Sequence, residues 1–138
     1  MNKMLLLVSL SFFLISGCSI HESKFLNKAG SLSGVEYEIR NENIKNGFLN
    51  FDVDYTNLGN ESVNVYLLSL DSDGKELLIQ QSIPYASQTG CFPIELEPNT
   101  KKTVAYRVPY ESTSSVSIKK FFVKSGSEPK LKCSDLLN

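Results

Sequence analysis

An antiparallel β-sandwich of six or seven strands is the fold this sequence predicts, and three observations predict it. From Val35 onward apolar residues recur at every second position, the spacing that puts alternate side chains on one face of a strand. Turn-forming residues interrupt these runs at short intervals. No stretch of the chain after the first twenty residues carries the apolar spacing of a convincing amphipathic helix. The composition agrees: 138 residues, 41% of them apolar and 21% charged, allow one domain and are too rich in aromatic and β-branched residues for disorder.

The first strand is carried by Val35, Tyr37 and Ile39, which alternate with Glu36, Glu38 and Arg40. Leu49, Phe51, Val53 and Tyr55 alternate in the same way with Asn50, Asp52, Asp54 and Thr56. Asn57-Leu58-Gly59-Asn60 supplies a turn, and the run from Ser62 to Leu70 that follows is apolar on both faces. Such a strand belongs in the middle of a sheet or under a covering loop. Asp71-Ser72-Asp73-Gly74 before Lys75 to Ile79 reads as a hairpin, because Asp tolerates and Gly favours the positive φ of tight turns. A calcium loop would need a third acidic position and a terminal bidentate Glu that this segment lacks. After the turn Glu97-Pro98-Asn99-Thr100 comes a strand from Thr103 to Val108, and Val116 to Val123 closes the set. In that last strand Val116, Ile118 and Phe122 share a parity with Lys120, while Phe121 and Val123 take the other, so one parity cannot be fully buried. A bulge near Lys119 or Lys120, or a place at a sheet edge, resolves the conflict.

The stretch Tyr55 to Val65, then Asp73-Gly74-Lys75, then Leu96 to Thr100 before Val104, resembles the small immunoglobulin-like modules of bacterial surface proteins, including the cell-adhesion-related type. The likeness covers residues 48–108 and implies an immunoglobulin-like sandwich. The chain departs from true immunoglobulin domains in having no Trp and in placing its cysteines in loop-like surroundings. No catalytic residue is carried over from the resemblance.

The first seventeen residues differ from the rest. A short polar start with Lys3, an apolar run from Met4 to Ile15 and the small pair Ser16-Gly17 are the parts of a cleavable signal peptide. The run is shorter than the roughly 20 residues a bilayer-spanning helix needs. Ile15-Ser16-Gly17-Cys18 resembles the lipobox of bacterial lipoproteins. That resemblance implies cleavage before Cys18, acylation of Cys18 and attachment to a membrane through the N-terminal lipid. Residue 19 is Ser and not the Asp that commonly retains enterobacterial lipoproteins in the inner membrane. In a Gram-negative host the resemblance therefore implies the cell outer membrane, and otherwise the outer face of the cell membrane. Residues 18–34 are polar and small without a sustained period and read as a tether, leaving 35–138 as the folded domain.

With Cys18 acylated, Cys91 and Cys133 form an even pair in an oxidising compartment, where a disulfide is the default. Its place between a mid-chain loop and the C-terminal tail makes it structural, and a redox pair would more typically be a close C-x-x-C.

Catalysis finds little support. One His, at position 21 in the tether, leaves no structured base, and no Ser lies in a G-x-S-x-G turn. Asp52 with Asp54, and Glu95 with Glu97, are spaced like glycosidase carboxylates. Alternating acids on a strand, however, ordinarily form its solvent face. No enzyme, cofactor or metal site is expected. A formal charge of −1 gives no general basic field for nucleic acid. Charge is nevertheless uneven: residues 18–100 carry five basic and twelve acidic groups, residues 101–138 eight basic and three acidic. Lys119 and Lys120, with Lys101, Lys102, Lys124, Lys130 and Lys132, either gather at one end of the sandwich to meet an acidic partner or anionic head groups, or guard edge strands. The segment from Ile83 to Ile94 is too long for a hairpin turn and carries Tyr85 and Phe92 beside prolines. These rings either form a rigid binding surface or cap the sandwich. The expected function is a lipid-anchored, non-enzymatic module that binds a protein partner in the cell envelope, as an accessory of an envelope or secretion assembly. A toxin-immunity lipoprotein and a glycan- or lipid-binding envelope protein are the alternatives.

Overall fold

In the computed structural model, residues 23–77, 79–83, 86–89 and 92–122 are described. They form nine strands: β1 (Ala29–Ser31), β2 (Val35–Lys45), β3 (Phe48–Asn57), β4 (Val63–Leu70), β5 (Gln80–Ile83), β6 (Ala86–Thr89), β7 (Ile94–Leu96), β8 (Lys101–Pro109) and β9 (Ser115–Phe122). One sheet runs β1-β2-β3-β8-β5-β6 and the other β7-β4-β9, and every strand pairing in both is antiparallel. The chain is an antiparallel β-sandwich. Its central order β2-β3-β8-β5 opposite β4-β9 repeats the A-B-E-D and C-F places of an immunoglobulin-like fold.

Alternation built these sheets. In β3 and β8, Leu49, Phe51, Val53, Tyr55, Val104, Tyr106 and Val108 point inward and are buried. From the smaller sheet Val63, Val65, Leu67, Ile94, Leu96, Val116 and Ile118 meet them in one core. The strand read as apolar on both faces, β4, is the centre of its sheet, and β9, whose lysines conflicted with its parity, lies at that sheet's edge. Pairing of β9 with β4 runs unbroken from Ser115 to Phe122, so the edge position and not a bulge resolves the conflict.

Three segments depart from the sequence reading, and the six or seven expected strands become nine. The strand expected over Lys75–Ile79 reduces to a single bridge between Leu70 and Glu76; the chain then crosses to the other sheet as β5. The turn before it forms as expected, with the Asp71 carboxylate accepting from the N–H of Asp73 and of Lys75, both at 2.9 Å. The long loop expected from Ile83 to Ile94 contains β6, which pairs with β5 from Ile83↔Ala86 to Gln80↔Thr89. Finally, the tether expected to run to residue 34 is docked from Lys24 onward. Val116 N–H donates to Lys24 O and Leu26 N–H to Val116 O, at 2.8 and 3.0 Å. Phe25 is buried between these bonds, its ring edge-on to Phe51 at 4.7 Å. The strap then crosses to the large sheet and pairs with β2 as β1. Gly30 lets the Tyr37 ring lie close over the strap, because a Cβ there would come within 2.8 Å of the Tyr37 hydroxyl and the ring would have to shift.

At the centre of the core the Tyr55 and Tyr106 hydroxyls satisfy each other at 2.8 Å. Burial pushes both phenols well above their ordinary range. Removing one hydroxyl strands the other, at a cost of about 1–3 kcal/mol. Tyr55→Phe is therefore expected to lower the urea midpoint more than the double variant Tyr55→Phe/Tyr106→Phe does per hydroxyl removed. Because the unfolded chain ionises first, near pH 10, the pair stabilises the fold below that pH and progressively less above it. Additive losses in the double-mutant cycle would refute the pairing.

Candidate functional site

The concavity that brings sequence-predicted residues together lies where the strap meets β9. A groove of about 430 Å³ is lined by Leu32, Ser33, Ile118, Lys119 and Lys120. Leu32 and Ser33 are held by the turn into β2, in which Leu32 N–H donates to Val35 O and Ser33 has a φ of 46°. Ile118, buried, supplies the apolar floor. Lys120 is half-buried and its ammonium donates to Ser33 O, tying the strap to the strand. Lys119 points the other way and is exposed. Val116 turns its backbone N–H and C=O outward, to Lys24 and Leu26. By the same parity Ile118 presents its own two backbone groups along that edge, beyond the point where the strap leaves.

Lys101 and Lys102 do not gather here, and Lys124, Lys130 and Lys132 lie outside the described residues. Lys101 lies 3.5 Å from Asp54, and Lys102 donates to Glu95 O at 2.8 Å. Phe92 is half-buried, and its carbonyl accepts from the Gln81 amide at 3.1 Å. Cys18, Tyr85, Cys91 and Cys133 lie outside the described residues.

The acid pairs sit on the solvent side of their strands. Asp54 accepts from the Thr103 hydroxyl at 2.6 Å and faces Arg40 at 3.3 Å. The hydroxyl, with Lys101 and Arg40, holds its carboxyl below the ordinary range, opposite to what a general acid needs. Asp52 accepts from Asn41 at 2.8 Å, and Glu95 and Glu97 are exposed. A larger groove, of about 540 Å³ between β1 and β8, is lined by Glu36, Glu38, Asp54 and Lys101, charges of which several pair with one another or with Arg40. Among the described residues there is no cluster of three His, Cys, Asp or Glu side chains placed to hold a metal.

Sequence reading missed Leu32 and Ser33 because they fall in the stretch without period, and Ile118 because an inward strand residue looks like any other core residue. The Lys119–Lys120 parity conflict was the available signal.

No family model matches the chain, and no curated protein matches it. Among solved structures it is similar to a crystal structure of a DUF1425 family member from Shewanella sp. pv-4, at 10% identity and a TM-score of 0.42, over 71% of this chain and 90% of that one.

Proposed function

We propose that the protein is a lipid-anchored envelope lipoprotein that works without catalysis, as a module binding an extended segment of a protein partner along the outer edge of β9. The observation that supports this most is the groove beside that edge, where backbone groups of Ile118, an apolar floor and the exposed Lys119 lie together. A strand added to an edge gains main-chain hydrogen bonds, and the flanking side chains select its sequence. Lys119 favours an acidic residue on the partner. Acylation of Cys18 fixes the module to the membrane, since two or more acyl chains hold stably where one binds reversibly.

Two measurements test the reading. A photo-crosslinking amino acid at Lys119 is expected to give a discrete adduct in living cells, and the same group at Thr103, on the outer face of the large sheet, none. Adducts from Thr103 without any from Lys119 would place the binding surface elsewhere. Cys18→Ala is expected to abolish lipid labelling and release the protein from membranes.

The same proposal includes a Cys91–Cys133 disulfide. A bridge closing a loop of roughly forty residues is worth on the order of 3–4 kcal/mol. Cys91→Ser should therefore lower the melting temperature while leaving the strand spectrum intact. Free thiols at both positions in the purified protein would sink it.

A further inference from the structure

We infer that one end of the sandwich is a membrane-facing surface, with Leu26 and Ile44 as its lipid contacts. The inference rests on acylation of Cys18 and deepens that reading. Lys24 is already hydrogen-bonded to Val116, the second residue of β9, so only six peptide steps separate the fold from Cys18. Six residues span at most about 20–22 Å. The ten residues of β3 alone extend for about 34 Å. A domain longer than its tether cannot turn its far end to the bilayer.

Which end this is follows from register. Lys24 runs parallel to β9 and lies toward its start. There the β2–β3 turn (Lys45 to Phe48), the β8–β9 connection from Pro109 to Ser114 and the 71–75 turn come together: Phe48 pairs with Pro109, Tyr110 N–H donates to Gly47 O, and Ser114 N–H donates to Leu70 O. Of the three exposed large apolar side chains among the described residues, two belong to this end: Leu26, 64% exposed, and Ile44, 39% exposed, one rung from the β2–β3 turn. Leu58, 57% exposed, bonds to Gly34 at the opposite end. Lys24 lies over the Tyr110 ring at 4.9 Å, an aromatic and amphipathic pair suited to the headgroup layer. Charge does not drive the contact, because Lys24, Lys45 and Lys75 are offset by Asp71, Asp73 and Glu111 at the same end. The occupant is therefore a lipid surface reached through the anchor, with no requirement for anionic headgroups. The β9 groove lies toward the far end of that strand, away from this surface.

The chain has no Trp, so single substitutions report position directly. Lipidated Leu26→Trp, Ile44→Trp and Leu58→Trp would be reconstituted in phosphatidylcholine vesicles containing a headgroup-nitroxide lipid. Quenching of the first two is expected to exceed that of Leu58→Trp about threefold or more and to be unchanged by 0.5 M salt, beyond the screening length of about 4 Å at that concentration. Inserting ten flexible residues after Cys18 should erase the difference. Equal quenching at all three positions in acylated, vesicle-bound protein overturns the orientation alone. Absence of acyl mass on Cys18 overturns the anchor and the orientation together.

Discussion

Asn57→Asp is expected to destabilise the domain more than Asn57→Ala does, and by an amount that grows with pH. Asn57 is 1% exposed at the corner where β3 turns toward β4. Its amide nitrogen donates to the carbonyls of Glu61, Leu96 and Glu97 at 2.8, 3.0 and 3.2 Å, and its amide oxygen accepts from Gly59 N–H at 2.9 Å. One side chain thus ties the end of β3 to the chain entering β4 and to the β7–β8 turn. Alanine leaves these groups without their partner, at about 1–3 kcal/mol for each buried one that stays unsatisfied. Against a total stability of 5–15 kcal/mol, a loss of about 3 kcal/mol is a large part. Aspartate keeps the acceptor and replaces the donor with a second oxygen facing three carbonyls. Burial and that repulsion raise its folded-state pKa above the unfolded value near 3.9. The deficit of Asn57→Asp is then smallest below that value, where the carboxyl is protonated in both states, and widens as pH rises through the raised one. Urea midpoints at pH 4 and pH 8 check this; equal deficits at both pH values would show that the amide donor is not what holds the corner.

The corner also shows where sequence reading stops. Asn57-Leu58-Gly59-Asn60 announces a turn, but a turn Asn and a buried Asn look alike in sequence, and two of the three carbonyls lie 39 and 40 residues away. Strands β3, β8 and β4 were legible because each has enough residues for a period, one-sided in the first two and two-sided in the third. β1, β6 and β7 have three or four residues apiece, and β6 (Ala-Ser-Gln-Thr) has no apolar alternation to read. The strap from Lys24 to Ser31 is held by backbone hydrogen bonds and one buried ring, neither of which leaves a pattern between neighbours in sequence. Of the candidate groove, only the two lysines carried a signal, through their conflict with the parity of β9.

Phe25→Ala is the substitution expected to act on stability and on position together. The ring is buried against Phe51, which stacks in turn on Tyr106 at 5.6 Å. Truncating a buried Phe costs about 3–5 kcal/mol, part of which is recovered if the strap lets go of β9 rather than leaving a cavity. Release would break the Lys24–Val116 and Val116–Leu26 hydrogen bonds. Amide exchange at Val116 and Leu26 should therefore accelerate before exchange at Val53 or Val104, which lie inside the large sheet. The stretch of the β9 edge that the strap covers at Val116 would then be exposed, and strand edges of that kind associate, so concentration-dependent dimers are expected as well. With β1 still paired to β2, the first fixed residue in the acylated protein becomes Lys28, ten steps from Cys18, with a reach of about 33–36 Å. That only matches the roughly 34 Å of β3 but lets the domain tip, so the difference in nitroxide quenching between Ile44→Trp, in β2, and Leu58→Trp should shrink in the Phe25→Ala background. Phe25→Leu keeps most of the buried volume and should preserve both exchange protection and orientation. If Phe25→Ala retains slow exchange at Val116, the backbone hydrogen bonds hold the strap without the ring, and the link between this core residue and the pose of the domain on the membrane is broken.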